Sequence, residues 1–222
     1  VCIYIVNTHT ATRGRSKARQ SKPFSMAISN LMWWGVDPGS AVCGACCLLD
    51  GEVIAAFEEP PETLFDRIVS ASGGNIVGVV IEDMSAYSKP LSNDVIDTCK
   101  FIGELAYRLR QVGNVSEVRL IARSTVKNRL FAAAPDVCIP RIERKMAALH
   151  ARKLSKGERG LIKKDGSMRT ASFHYVDDRI VIAAVKELLK IPTPKPGKPN
   201  KYGLKAHSWQ ALAAVWAELN IF

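Results

Sequence analysis

The 222-residue chain has the length of a single domain, and its 47% apolar and 23% charged residues exclude a disordered or fibrous protein. Its longest apolar runs, such as NIVGVVIEDM from Asn75, are far shorter than the ~20 residues of a membrane-spanning helix. The 31 lysines and arginines against 21 acids give a formal charge of +10, which indicates a nucleic-acid binder; charge kept for solubility alone is the alternative.

The first 30 residues contain several basic residues, no acidic ones and no lasting periodicity. We therefore expect residues 1–31 to be a basic arm or upstream extension, and residues 32–222 to form the domain. A transit peptide has this composition, as does a start codon placed too far upstream. Met26 and Met32, just before the first strand, favour the second explanation.

The six cysteines show no second Cys or His pair at zinc spacing, and we read them as buried, reduced thiols: Cys2, Cys43, Cys46, Cys47, Cys99 and Cys138. This usage predicts a reducing compartment. We expect the cytoplasm of a bacterial or phage-infected cell, with a mitochondrial location as the alternative.

Three strands open the domain: WWGVD from Trp33, SAVCGACCLLD from Ser40 and EVIAAFEEP from Glu52. Asp50-Gly51 predicts a tight hairpin between the second and third strands. The second strand is apolar throughout, so we expect it to be central and buried on both faces. A short helix, TLFDRIVSAS, follows.

A fourth strand, NIVGVVIEDM, precedes a helix predicted over Ser92–Gly113, with Ser92 or Asn93 as its N-cap. Its apolar positions recur at helical spacing: Val95, Ile96, Cys99, Phe101, Ile102, Leu105, Ala106 and Leu109. The fifth strand, SEVRLIARST, leads into a helix, VKNRLFAAAP. The strand, helix, strand order predicts a parallel right-handed crossover.

Residues 135–174 are basic and poor in strand formers, which predicts an insertion with one helix and a flexible loop. Two helices close the chain, VDDRIVIAAVKELLKI and GLKAHSWQALAAVWAELN. Trp209 and Trp216 share one face of the last helix, a spacing more typical of a core or dimer contact than of a base-stacking surface.

The order of these elements predicts an α/β, ribonuclease H-like fold: a five-stranded mixed sheet flanked by helices, with the basic insertion before the C-terminal helices. Asp37 ends the first strand and Glu82 lies at the end of the fourth, so their carboxylates would meet at one edge of the sheet. Such oxygen ligands suit Mg²⁺, and two ions ~4 Å apart can promote phosphodiester hydrolysis. An ordinary Asp-Pro-Gly turn is the alternative reading of Asp37.

Five segments in this order, GVDPG, VVIEDM, STVKNRL, VDDRIVIAAV and KAHSWQALAAVWA, resemble the RuvC-type Holliday junction resolvases, particularly their short phage-borne relatives. The resemblance covers roughly residues 33–130 and 176–219. It implies an Mg²⁺-dependent endonuclease, with Mn²⁺ as a substitute, that cuts branched DNA as a homodimer in recombination and repair. It also implies that Asp37 and Glu82 are metal ligands.

The last helix departs from the family pattern. His207 matches a tolerated variant and can bind a metal or act as a general base, whereas Gln210 stands where the family has an Asp. We expect Asp177, as a catalytic residue and metal ligand, and Asp178, as a ligand, to complete the site. Their alternative role is to stabilise a helix N-terminus.

By resemblance, Lys127 would contact the DNA backbone or the scissile phosphate; a solvated lysine is the alternative. The other predicted DNA-binding residues are Arg129, Arg144, Lys145, Lys163 and Lys164, most of them in the basic insertion. Because Gln210 supplies no anion, a catalytically weak or inactive branched-DNA-binding relative is the second hypothesis. A related enzyme acting on RNA or in transposition is the third.

Overall fold

The structure is a computed structural model that describes residues 31–84, 92–150, 172–192 and 202–219, without the side chains of residues 149 and 150. The predicted N-terminal arm up to residue 30 and residues 151–171 of the predicted insertion, which include Lys163 and Lys164, lie outside the described residues. The strands are β1 (Met32–Asp37), β2 (Cys43–Leu49), β3 (Glu52–Glu59), β4 (Val77–Asp83) and β5 (Val115–Ala122). The helices are α1 (Pro61–Ser72), α2 (Asn93–Arg110), α3 (Arg123–Ala133), α4 (Pro135–His150), α5 (Asp178–Leu188) and α6 (Ala206–Leu219).

The five strands form one mixed sheet in the order β3-β2-β1-β4-β5. Strand β2 is antiparallel to both β1 and β3, and β4 lies parallel to both β1 and β5. Asp50 and Gly51 both have positive φ, as a tight hairpin turn between β2 and β3 requires. This is the ribonuclease H-like arrangement, so the predicted fold class is confirmed.

Strand β2 lies between β1 and β3 as predicted, although the middle strand of all five is β1, because β4 pairs with its other edge. Strand β2 is nevertheless buried on both faces. Cys46 and Leu48 face one core cluster, whereas Cys43, Ala45 and Cys47 face the other. Helices cover both sides of the sheet, and an almost continuously apolar strand is what such a position requires.

The smaller core cluster contains residues of α1 and α2, and the larger one contains residues of α3 to α6. Helix α2 begins after Ser92, whose hydroxyl accepts from the Val95 N–H. Thr98 is buried on this helix while Cys99 is exposed, so the prediction for Cys99 was wrong. The other four cysteines described are buried, and all five are free thiols.

Helix α4 is part of the larger core rather than an appendage to it. Its side chains Cys138, Ile142 and Met146 are buried there together with residues of α3 and α5. The first part of the predicted insertion, residues 135–150, therefore packs into the domain. None of the described helices combines the length and apolarity that a membrane crossing needs.

Helix α6 is buried along residues 208–217, including Trp209 and Trp216, because it lies between the sheet and helices α3 and α5. Both tryptophans therefore belong to the core rather than to a base-stacking surface. Two glycines allow this close approach. A Cβ at Gly35 would lie 2.0 Å from the Ala211 carbonyl oxygen, and one at Gly44 would lie 2.2 Å from the His207 carbonyl carbon.

Gly44→Ala should lower the free energy of unfolding by about 2 kcal/mol, because its methyl group would push the start of α6 away from the sheet. Gly103→Ala is the control, since a Cβ there meets nothing within 4 Å on an exposed part of α2. It should raise stability by roughly 0.5–1 kcal/mol through helix propensity. Urea unfolding measures both effects, and equal stability of the two variants would contradict the close packing of α6.

Candidate functional site

Asp37 and Glu82 lie side by side where β1 and β4 end. The parallel register pairs Val36 with Ile81, so the next residues along each strand are neighbours. Val36 and Ile81 face the smaller core, and strand alternation turns Asp37 and Glu82 towards the α6 side of the sheet. Both are deeply buried, at 5% and 2% exposure. The structure thus brings together the two carboxylates that the sequence singled out.

Arg123, the first residue of α3, supplies the cation for these carboxylates. Its Nη1 lies 3.0 Å from Glu82 Oε1 and 4.0 Å from Asp37 Oδ1. Its Nη2 lies 2.6 Å from Asp178 Oδ1, at the first position of α5. One guanidinium therefore contacts acids from β1, β4 and α5. We call Asp37, Glu82 and Asp178 the acidic cluster.

His207, at the start of α6, is held on two sides. Its Nδ1 lies 2.8 Å from Asp37 Oδ2, and its backbone N–H donates to Glu58 Oε1 at 2.8 Å. Glu58 belongs to the edge strand β3, so this hydrogen bond connects the first turn of α6 to the edge of the sheet. The His207 side chain remains 45% exposed. It can therefore contact Asp37 on one side and solvent or a ligand on the other.

A cavity of about 410 Å³ opens beside this cluster, with Asp37, Arg123, Asp178, His207 and Gln210 among its lining residues. Gln210 is only 5% exposed, and its Nε2 has no hydrogen-bond partner among the described residues. The Oε2 atom of Glu82 is buried and unpartnered in the same sense. Of these two residues, Gln210 lines the cavity and can donate to a ligand there.

Burial dominates the titration of both carboxyls. Desolvation raises the pKa of Asp37 above its usual value despite the hydrogen bond from His207 and the nearby charge of Arg123. Desolvation likewise raises the pKa of Glu82 to about 7, against the opposing effect of Arg123. The guanidinium therefore compensates the two buried acids only in part.

The oxygens of the acidic cluster are of the kind that Mg²⁺ prefers. However, Arg123 already lies between Asp37 and Glu82, and the described residues contain no group of three or more His, Cys, Asp and Glu placed to hold a metal ion. With the guanidinium in this position, the space between Asp37 and Glu82 does not admit a divalent ion as well. Of the predicted ligand set, Asp37, Glu82, Asp178 and His207 lie together at this site, and their role as metal ligands stays a prediction.

Asp177 lies apart from the acidic cluster. Its carboxylate accepts from the Ile180 N–H at 3.1 Å, which caps α5, and it pairs with Lys145 at 2.7 Å. It lines a second cavity of about 280 Å³ together with Lys127 and Lys145. The alternative reading, a helix-capping aspartate, describes its contacts, and its predicted catalytic and metal-binding role has no support in this position. The adjacent Asp178 lines both cavities.

The predicted DNA-binding residues have different surroundings. Lys127 is half-buried in the second cavity, and burial lowers its pKa. Arg129 donates to the Ala217 carbonyl and pairs with Glu218 at 3.1 Å, so it connects α3 to α6. Arg144 is exposed on α4 and donates to the Pro140 carbonyl. Among the described residues, Arg129 is the one of these three with a hydrogen bond or ion pair to another element, whereas Lys127 interacts with the charges of Asp178 and Glu82 at longer range.

The sequence interpretation missed Arg123 because the predicted fifth strand ran on to Thr125, whereas β5 ends at Ala122. A signal was present: a basic residue directly follows the last apolar pair of a strand that runs parallel to β4. Such a residue must lie at the same edge of the sheet as Glu82. Glu58 was also missed, since an acid near the end of an edge strand is ordinary.

No family model matches the chain, and no curated protein matches its sequence. Among solved structures, it is similar to Thermus thermophilus RuvC in complex with a Holliday junction substrate, with 13% identity and a TM-score of 0.46. A second structure of Thermus thermophilus RuvC gives 13% identity and a TM-score of 0.43. Each match covers 86% of this chain and 98% of the other. The strand order and directions, rather than these likenesses, define the fold.

Glu82→Gln should change how stability depends on pH. Because folding raises the pKa of Glu82 from 4.5 to about 7, the folded state binds this proton more tightly, and stability falls as pH rises through that interval. The variant lacks this titration. The free energy of unfolding of Glu82→Gln, relative to that of wild type, should rise by on the order of 2 kcal/mol between pH 4.5 and pH 8.

Urea unfolding at both pH values measures this difference. Glu104→Gln, at an exposed position of α2, is the control that lacks burial as a cause. A stability difference between wild type and Glu82→Gln that stays constant with pH would contradict the effect assigned to burial.

Proposed function

We propose that the protein is a structure-selective endonuclease that acts on branched DNA, including Holliday junctions, and requires Mg²⁺ or Mn²⁺. The observation that carries the proposal is the pair Asp37 and Glu82: two buried carboxylates on neighbouring parallel strands that face one cation beside an open cavity. Burying two acids together is costly, and acids with raised pKa values beside a cavity mark a candidate functional site. The metal requirement is inferred from the sequence resemblance, because Arg123 holds the position between the carboxylates.

His207 is the residue best placed to move a proton. The Asp37 carboxylate contacts Nδ1 and orients the ring, as a carboxylate does for an imidazole base. This arrangement leaves Nε2 for exchange with a water molecule or a leaving oxygen in the cavity. The exposed part of the ring provides access for such a partner.

The cationic side chains supply the DNA contacts in this proposal. Lys127 and Lys145 line the second cavity, which adjoins the first through Asp178. Together with the net charge of +10, these side chains would attract the sugar-phosphate backbone, and binding would weaken as salt rises. We further propose that two copies act as a homodimer, because paired cuts across a four-way junction need two sites related by a twofold axis.

A second candidate function is binding of branched DNA without cleavage. Two observations favour it: Arg123 compensates part of the negative charge of the acidic cluster, and Gln210 supplies an amide where the resembling family has a carboxylate. Both reduce the negative charge available to hold a divalent ion. Selective binding would remain, since it depends on the basic surface rather than on the acids.

Wild-type protein incubated with Mg²⁺ should nick a labelled four-way DNA junction in preference to linear DNA or RNA duplexes of the same sequence. Asp37→Asn should lower the nicking rate at least about 100-fold, because it removes a charge that only the reaction needs, with little change in junction affinity. Asp66→Asn, at an exposed position of α1, is the matched control and should cleave as wild type does. Gel assays of nicking and of binding separate the two quantities.

Junction-selective binding with no nicking by wild type would establish the second candidate. Preferential nicking of the RNA duplex would instead indicate a related enzyme that acts on RNA. If wild type neither binds nor nicks the four-way junction in preference to the linear duplexes, both functions are refuted.

Gln210→Asp should raise the Mg²⁺-dependent nicking rate about tenfold or more, because it adds an anion to the cavity beside Asp37 and His207. Gln210→Asn keeps a neutral amide and should give no gain. Single-turnover kinetics on the same junction measure the change. A Gln210→Asp variant that folds but is no faster than wild type would show that charge at this position is not limiting.

A further inference from the structure

We propose that Arg123 is the resident cation of the acidic cluster, and that its guanidinium and a divalent metal ion bind there in mutual exclusion. The proposal concerns the same site as the proposed function but does not require DNA cleavage. It makes Arg123 the residue that sets how tightly the protein binds divalent ions.

The first argument is electrostatic. The side chains of Asp37 and Glu82 are 7% and 3% exposed, and they lie next to each other on paired strands. Two adjacent buried carboxylates repel each other and lose hydration, so they need a positive charge close by. Arg123 provides it, and its planar fork reaches Glu82 through one nitrogen and Asp178 through the other.

The second argument is spatial. Divalent ions bind carboxylate oxygens at about 2.0 to 2.6 Å. A metal ion shared by Asp37 and Glu82 would therefore lie in the space where Arg123 Nη1 is found, 3.0 Å from one acid and 4.0 Å from the other. Two positive groups cannot occupy that space together. Either the guanidinium or the metal ion can be there.

The third argument comes from the polar atoms that Arg123 does not satisfy. It contacts Oε1 of Glu82, but the buried Oε2 has no hydrogen-bond partner among the described residues. Nε2 of Gln210 lacks a partner in the same way, although as a hydrogen-bond donor it can bind water or an anion and not the metal ion itself. A guanidinium alone therefore leaves the site incompletely bonded, as is expected where a second ligand also binds.

The contacts also allow Arg123 to leave. Its side chain is 37% exposed, and its partner Asp178 is 64% exposed, so the outer ion pair is solvated and weak. The cavity of about 410 Å³ beside it provides space for another rotamer. Among the described residues, the contacts with the two buried acids are the main interactions that oppose its release.

Mn²⁺ titration, followed by water-proton relaxation and calorimetry, tests the proposal. Arg123→Ala should bind Mn²⁺ at least about tenfold more tightly than wild type, and adding Asp37→Asn should abolish the gain. Methylguanidinium should weaken Mn²⁺ binding to Arg123→Ala by competing for the same acids. Arg108→Ala, which removes a similarly exposed arginine from α2, is the matched control and should bind Mn²⁺ as wild type does.

Thermal unfolding of the same proteins checks folding. Arg123→Ala should melt at a lower temperature than wild type without metal, and either Mn²⁺ or methylguanidinium should restore the loss. If this variant does not fold, Arg123→Lys takes its place. Its single ammonium group cannot bridge the acids as the fork does, so Mn²⁺ affinity should rise about threefold over wild type.

Equal Mn²⁺ affinity in wild type and the folded Arg123 variant would overturn the proposal, whether both bind or neither does. This outcome is independent of nicking. Wild type that never nicks while Arg123→Ala gains Mn²⁺ binding would refute the endonuclease and support the exchange. Nicking that depends on Asp37, together with an Mn²⁺ affinity that is unaffected by substitution of Arg123, would support the endonuclease and refute the exchange.

Discussion

The burial of Asp37 beside Glu82 is the interaction on which the rest of the site depends. Two neighbouring parallel strands end with their carboxylates on one face, under helices that exclude most of the water. Desolvation raises the pKa of both carboxyls, and their buried negative charge requires a cation close by. Arg123 contacts Glu82, and the Nδ1 atom of His207 contacts Asp37. Both residues belong to the first turn of a helix that packs on this face of the sheet.

Packing of α6 connects the core to this chemistry. Gly35 and Gly44 allow the helix backbone to lie directly on β1 and β2, which places His207 and Gln210 above the end of β1. Glu58 then fixes the first turn from the opposite side. The positions of the site residues are therefore set by close packing of backbone rather than by flexible loops, which favours a preorganised geometry.

The same site accounts for both candidate functions. Its acids and imidazole suit phosphodiester chemistry, whereas its internal arginine and neutral Gln210 reduce the negative charge that would hold a metal ion. Exchange of Arg123 for a divalent ion would reconcile the two, because a resting site whose acids are partly compensated by Arg123 then becomes a metal-binding one. An amide at position 210 would make that exchange less favourable than a carboxylate would.

The sequence by itself determined the five strands, most helices and the pairing of Asp37 with Glu82, because strand periodicity and element order are local signals that dictate which ends meet. Tertiary structure decided the rest. Asp177 and Asp178 are adjacent in sequence, yet the first caps α5 and the second meets Arg123, since successive residues at a helix start point in different directions. The sequence signals only that Arg123 follows the end of β5, whereas its contacts with the acids depend on the packing of α3, α5 and α6, which no local pattern reveals.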